Sequence, residues 1–93
     1  MTVHERFGER VRRRRMALGM IQKTLAEALD MPQGHLSRLE HGEFVSIRFD
    51  VLLRLAQQLQ CSTDFLLGRT DDPDTGPAQT TQRPRRRPAA AVS

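Results

Sequence analysis

The chain has 93 residues, enough for one small domain, and carries a formal net charge of +4. No apolar run approaches the roughly 20 residues that cross a bilayer, and the first residues lack the apolar core of a secretion signal. The single cysteine, Cys61, cannot form an internal disulfide. These features exclude a disulfide scaffold and a membrane-spanning protein, and they predict a cytoplasmic protein.

The composition of the chain changes near Pro73. Residues 1–72 carry 11 basic and 10 acidic side chains, whereas residues 73–93 carry four arginines and one aspartate. The second segment also contains four prolines and no aromatic residue, so it cannot bury enough apolar surface to offset the entropy of ordering. We therefore predict one domain over residues 1–72 and a disordered C-terminal tail over residues 73–93. The tail arginines are either solvated or give weak electrostatic help at phosphates.

Glycine and proline residues divide the first segment into five helical stretches. Thr2 and Glu5 have the spacing of a capping box, so the first helix is predicted to begin after Thr2 and to run to Leu18. Gly19 then supplies a left-handed stop. The apolar positions on one face of this helix are predicted to face the core: Val3, Phe7, Val11 and Leu18.

Two short helices follow, separated by residues 30–32. The second helix is predicted over Gln22–Leu29 and the third over Gln33–His41, with Gly42 as the stop. A tight turn of this kind holds one helix across the other and lets the later helix project from the body of the domain. The predicted inward-facing residues are Leu25, Ala26 and Leu29 in the second helix, and Leu36 and Leu39 in the third.

The remaining pattern predicts two more helices. The fourth is expected over Ile47–Leu59, with Ser46 as its candidate cap. The last, short helix follows the cap residue Ser62 and ends at Gly68. Since no strand pattern competes, the predicted fold class is all-α, a compact five-helix domain. The apolar positions of the fourth helix are Leu52, Leu55, Ala56 and Leu59.

The outward face of the third helix carries polar side chains of functional interest. With Leu36 and Leu39 turned inward, the outward residues are Gln33, Ser37 and Arg38. Glutamine and arginine bind the edges of adenine and guanine through paired hydrogen bonds, and an α-helix fits the major groove of DNA. Every amphipathic helix also has a polar face, so this pattern by itself leaves DNA reading and simple solvation both open.

The order of three motifs favours DNA reading. Between Phe7 and Asp72, the segments FGERVRRRRMALGMIQKTLAEAL, MPQGHLSRLEHGE and LLRLAQQLQCSTDFLLGRTDD resemble the phage-repressor, Cro-type helix-turn-helix family, also called XRE-like. The resemblance implies a lambda-repressor-like five-helix domain whose third helix enters the major groove. It also implies a transcriptional regulator, a repressor or autoregulator, that binds double-stranded DNA as a homodimer on an inverted repeat.

The resemblance assigns roles to individual residues. Three residues fall at positions that read bases: Gln33, Ser37 and Arg38. Four residues fall at positions that contact the DNA backbone: Gln22, Lys23, His41 and Arg48. Of these, Gln22 is implied to clasp a phosphate at the start of the second helix. Arg15 and Glu40 match a structural pair that joins the first and third helices.

The sequence departs from the family pattern at six positions, one of them Arg14, which stands on the first helix where an apolar residue is frequent. Ile21 and Pro32 stand where a serine or threonine usually caps the second and third helices, so neither helix is expected to have a side-chain cap. Asp30 and Gln60 replace common glycines, and glutamine tolerates left-handed geometry less readily than aspartate. Gly34 removes a side chain that family members often direct at bases. It either permits close backbone approach or leaves a short reading surface.

Four consecutive arginines, residues 12–15, do not form one basic stripe, because successive helical residues point about 100° apart. Arg15 is assigned to Glu40. Arg14 is expected to cover apolar surface with its stem while its guanidinium reaches water. Arg12 and Arg13 are either solvated charges or aids at the phosphate backbone.

The sequence offers little for catalysis, and it predicts no enzyme, no cofactor and no metal site. His35 and His41 are six residues apart and do not share a helix face as zinc ligands would. Cys61 has no predictable base partner and is expected to act as a small buried hydrophobe. The remaining alternative belongs to another class, an antitoxin-like or other interaction protein whose helical surface mainly binds a protein partner.

Overall fold

Five helices lie within residues 1–74 of the computed structural model, which are the residues that the structure describes. They are α1 (Val3–Ala17), α2 (Gln22–Ala28), α3 (Gln33–Glu40), α4 (Phe49–Gln58) and α5 (Thr63–Leu66). No strand occurs in this part of the chain, and the predicted all-α, five-helix fold is confirmed. None of the helices in residues 1–74 is long and apolar enough to cross a membrane.

The start of α1 is a capping box, as the sequence predicts. The Glu5 amide donates to the Thr2 hydroxyl at 3.1 Å, and the Thr2 amide donates to the Glu5 carboxylate at 2.8 Å. These two bonds satisfy amides that helix geometry leaves without partners. The hydrogen bonds from the backbone and side chain of Thr2 lower the pKa of Glu5, because they stabilise the charged carboxylate.

The start of α4 differs from the prediction. The helix begins at Phe49 rather than Ile47, and its N-cap is Arg48, which makes no side-chain capping bond. The prediction that Ser46 caps this helix is therefore wrong. Phe44 and Ile47 pack against the core from the irregular segment before α4. The chain stays non-helical there while these two side chains reach the core.

The hydrophobic core draws residues from all five helices and their ends. Its buried members are Phe7, Val11, Leu25, Ala26, Leu29, Leu36, Leu39, Leu55, Ala56, Leu59 and Leu66. Leu18 and Leu52 are partly buried against it. The expectation that Val3 faces the core is wrong, because Val3 lies at the rim of a surface groove and is 78% exposed.

The helices α1 and α3 approach closely because Gly8 has no side chain. A Cβ atom at Gly8 would lie 2.4 Å from the carbonyl oxygen of Leu39 and 2.5 Å from that of Glu40. Such distances are far below van der Waals contact, so any larger residue would push the two helices apart. The C-terminal end of α3 therefore rests directly on the backbone of α1.

The turns after α2 and α4 contain left-handed residues other than glycine. Asp30 has a φ angle of 57° and Gln60 a φ angle of 53°. Glycine adopts this conformation without a steric penalty, whereas a Cβ atom makes it unfavourable. The two positions predicted to replace glycines thus keep the glycine-like backbone, and each turn carries local strain.

Two arginines of α1 fasten the C-terminal helices to the domain. Arg14 donates from Nε to the Leu59 carbonyl at 2.9 Å and from Nη2 to the Gln60 carbonyl at 3.1 Å. Its half-buried guanidinium therefore binds the C-terminal end of α4, a contact that the sequence did not predict. Arg10 lies over the Phe65 ring, with its guanidinium carbon 5.3 Å from the ring centroid. A cation placed over an aromatic face is attracted by the ring quadrupole.

The described structure extends two residues past the predicted domain boundary at Asp72. The Ser62 amide, at the start of α5, donates to the Pro73 carbonyl at 2.8 Å. The backbone of Pro73 therefore contacts the start of α5. The rest of the predicted tail, residues 75–93 with its arginines, lies outside the described residues.

Candidate nucleic-acid interface

The helices α2 and α3 form a helix-turn-helix, joined by residues 29–32. The N-caps of the two helices are Ile21 and Pro32, and neither makes a side-chain capping bond. Pro32 has φ and ψ angles of −63° and 147°, the extended geometry that precedes a helix and that its ring favours. Both α1 and α2 pack against α3, so α3 is held from two directions.

A buried ion pair holds α3 to α1. The Arg15 guanidinium donates from Nε to Glu40 Oε2 at 2.7 Å and from Nη2 to Glu40 Oε1 at 3.1 Å. Its Nη1 donates to the Met20 carbonyl at 2.8 Å. The Glu40 side chain is 1% exposed and the Arg15 side chain 11% exposed, so both charges are largely removed from water. The structure thus brings together the two residues that the sequence assigns to a structural pair.

Gln22 connects this ion pair to the surface of α3. Its Nε2 donates to Glu40 Oε1 at 2.9 Å. Because a carboxylate accepts hydrogen bonds and cannot donate them, this contact fixes the orientation of the Gln22 amide. Its Oε1 then accepts a bond from Gln33 Nε2 at 3.4 Å. A chain of hydrogen bonds therefore runs from buried Arg15 to the first residue of α3, a link that the spacing of single residues does not reveal.

The outward side of α3 holds the three residues assigned to base reading. Gln33 and Arg38 are exposed and Ser37 is half-buried, whereas Leu36 and Leu39 on the opposite side are buried. Helical spacing of three and four residues places these outward positions on one side of α3, together with an exposed glycine. We call the surface formed by four residues the reading face: Gln33, Gly34, Ser37 and Arg38.

The residues assigned to the DNA backbone lie on α2, at the end of α3 and before α4. Lys23 is exposed in the first turn of α2, next to half-buried Gln22. His41 follows α3, and its Nδ1 donates to the Ser37 carbonyl at 2.7 Å. Arg48 precedes α4 and pairs with Asp50 at 3.1 Å, with 81% of the arginine side chain exposed. The four assigned residues therefore lie on three separate segments of the chain.

The loop after α3 is fastened to α1 by aromatic contacts that sequence reasoning missed. The His4 ring centroid lies 4.8 Å from that of Phe44, and Phe44 lies 5.8 Å from Phe7. His4 also hydrogen-bonds through Nε2 to the Val45 carbonyl at 3.1 Å. His4 and Phe7 lie one turn apart on α1, but Phe44 comes from the loop after α3, so no periodic signal in the sequence pointed to the cluster.

Two observations bear on metal binding and on the thiol of Cys61 among the described residues. Within residues 1–74 no group of three or more histidine, cysteine or acidic side chains is placed to hold a metal ion. Burial raises the pKa of the Cys61 thiol, and the nearby Arg14 charge opposes this shift. A raised pKa keeps the thiol protonated, which is the less nucleophilic form.

Comparison with known proteins places this geometry in a family. The Helix-turn-helix family matches residues 11–66. The restriction-modification controller protein C.AhdI from Aeromonas hydrophila has a similar structure, with a TM-score of 0.61 and 29% identity over 67% of this chain and 92% of that chain. The clp gene regulator ClgR from C. glutamicum gives a TM-score of 0.65 and 28% identity over 72% of this chain and 86% of that chain. The comparison with curated proteins gives no match.

The five helices and the packing of α2 against α3 define an all-α helix-turn-helix domain. The family match covers more than half of the chain, so the chain belongs to the XRE-type helix-turn-helix family of DNA-binding regulators. The resemblance that the three motifs predict is confirmed.

Proposed function

We propose that this protein binds specific sequences in double-stranded DNA by placing α3 in the major groove, and that it acts as a repressor or autoregulator of transcription. The observation that carries the proposal is the reading face, which is exposed on one side of α3 while the other side is fixed by the buried Arg15–Glu40 pair. The two structural neighbours named as a controller and a gene regulator support a regulatory role.

Each residue of the reading face has a chemical role in this proposal. Gln33 reads adenine and Arg38 reads guanine, each through paired hydrogen bonds to the base edge, and Ser37 contacts either base. The bond from Gln33 to Gln22 restricts the glutamine before DNA binds. A side chain that is already oriented loses less entropy on binding, which increases affinity for the correct base.

The positions around the reading face set the register on DNA. Gln22, Lys23, His41 and Arg48 are proposed to contact phosphates, which gives affinity without sequence information. His41 donates its Nδ1 proton to a carbonyl, so its Nε2 can donate to a phosphate oxygen when the ring is doubly protonated. Arg48 must exchange its exposed pair with Asp50 for a phosphate, an exchange that costs little because exposed pairs are weak.

We further propose that the protein acts in the cytoplasm as a homodimer on an inverted repeat. Phe49 and Leu53 lie one turn apart on α4 and are 74% and 41% exposed, and Leu67 after α5 is 51% exposed. Large apolar side chains exposed on neighbouring segments are typical of a surface that another protein covers. A second copy of the chain would bury them and present two reading faces to adjacent turns of the groove.

Selection of bound DNA from a random duplex pool tests the proposal. We expect enrichment of an inverted repeat whose half-site centres lie about 10 base pairs apart, and affinity that falls steeply as salt increases. Light scattering on the same sample reports whether two copies bind. A folded protein that enriches no sequence and binds without salt dependence would contradict the proposal, and would favour the alternative of a surface that mainly binds a protein.

A further inference from the structure

Gly34 is the one glycine among residues 1–74 for which the fold gives no reason. Gly19, Gly42 and Gly68 have φ angles of 72°, 78° and 81°, which favour glycine. Gly8 lies against the backbone of α3, which a Cβ atom would approach to 2.4 Å. A Cβ atom at Gly34 would meet nothing within 4 Å, and the backbone there is α-helical.

The position of Gly34 puts this missing side chain on the reading face. It follows Gln33 directly, and Arg38 lies one turn further along the same side of α3. Glycine weakens a helix relative to alanine, so the fold would gain from a methyl group at this position. An advantage of the missing side chain must therefore come from a surface outside the chain. The reading face is the surface that we propose to meet base pairs.

We propose that Gly34 forms a notch that receives the 5-methyl group of a thymine and so helps to determine the DNA sequence bound; this inference rests on the proposed function. In the major groove, an A·T pair presents adenine N6 and N7 beside thymine O4 and the thymine methyl group. When Gln33 binds an adenine, the next residue of α3 comes against the edge of that pair or its neighbour. The methyl group projects into the groove there, and a residue without a Cβ atom leaves room for it.

Paired changes in the protein and in the DNA test this notch. The wild-type protein and Gly34→Ala are titrated with the selected site and with versions in which each thymine in turn is replaced by deoxyuridine, which lacks the 5-methyl group. We expect Gly34→Ala to lose about tenfold or more in affinity for the selected site. At one position, deoxyuridine should restore most of the lost affinity to the variant, and the same substitution should lower the affinity of the wild-type protein. The melting temperature of Gly34→Ala should be unchanged or higher.

Control variants separate the notch from general effects. Ala17→Val adds bulk at an exposed position in the last turn of α1 and should bind every duplex as the wild type does. Gly34→Ser should lose at least as much affinity as Gly34→Ala. Equal binding of the selected site by wild type and Gly34→Ala would overturn the inference, as would a loss that no deoxyuridine relieves. A wild-type protein that selects no sequence would instead overturn the proposed function, which is a distinguishable result.

Discussion

The inner side of α3 is packed against the rest of the domain, whereas its outer side is exposed. On the inner side, the backbone of α3 lies so close to Gly8 of α1 that a methyl group at Gly8 would not fit. The Glu40 carboxylate on this side accepts hydrogen bonds from both Arg15 and Gln22. On the outer side, the space around Gly34 is open within the chain. The amino acids tolerated on the inner side are therefore limited by the stability of the fold, whereas those on the outer side depend on what the protein binds.

Removal of Glu40 is expected to have the largest effect on stability. Glu40→Ala leaves the Arg15 charge buried without its partner, which should lower the free energy of unfolding by about 3–5 kcal/mol. Urea denaturation measures the change. The matched control is Glu9→Ala, which breaks the exposed Arg13–Glu9 pair of 3.2 Å on the same helix as Arg15. That change should cost about 0.3–0.5 kcal/mol, and similar losses for the two variants would show that the buried pair does not hold α3.

The same substitution at two glycines compares the inner and outer sides directly. Gly8→Ala places a Cβ atom against backbone carbonyls that cannot move independently, so we expect a loss of about 1–3 kcal/mol. Gly34→Ala adds a methyl group in open space and should stabilise the domain by up to about 1 kcal/mol. Thermal and urea unfolding of both variants check the opposite signs. If both changes destabilised the domain, the outer side of α3 would also be constrained by packing.

Variants of the reading face should affect DNA binding and leave the fold intact. Gln33→Ala and Arg38→Ala are each expected to cost about 1–3 kcal/mol on the selected site, with little change on random duplexes, because each removes a contact to a base edge. Gln58→Ala and Arg54→Ala change the same residue types at exposed positions of α4 and serve as controls. Equal loss on selected and random DNA would mean that α3 contacts phosphates rather than bases.

The sequence was most informative where structure depends on neighbouring residues. The capping box of Thr2 and Glu5 and the inward positions Leu36 and Leu39 were predicted correctly from local spacing alone. The start of α4 was misplaced because it depends on Ile47, whose side chain packs on the core instead of beginning the helix. The local spacing of apolar residues indicates which segments form helices. It does not indicate which side chains of the preceding loop pack against the core.

Features that join distant segments were not available from the sequence. The need for glycine at residue 8 comes from carbonyl groups more than 30 positions later in the chain, at Leu39 and Glu40. The partners of Arg14 are likewise backbone carbonyls, those of the two residues that follow α4. Carbonyl groups are present at every residue, so no pattern of side chains marks the ones that will be contacted. The roles in DNA binding came from family resemblance, and they stay predictions until the reading face is tested.

The smallest predicted effect on stability concerns the N-terminal end of α1, which belongs to neither side of α3. Thr2→Ala removes the hydroxyl that caps the helix and should cost about 1 kcal/mol. The hydrogen bonds from Thr2 hold the pKa of Glu5 below its unfolded value, so the carboxylate contributes stability above the unfolded pKa and loses it as pH falls through the folded pKa. Thr2→Ala removes the side-chain hydrogen bond and keeps the larger effect of the Thr2 backbone amide, so the stability difference between wild type and Thr2→Ala, measured by urea denaturation, should be larger near neutral pH than in acid by the side-chain part alone. Protonation of Glu5 is expected to weaken its hydrogen bonds with Thr2. A stability difference that grew in acid would therefore contradict the capping box as the source of the difference.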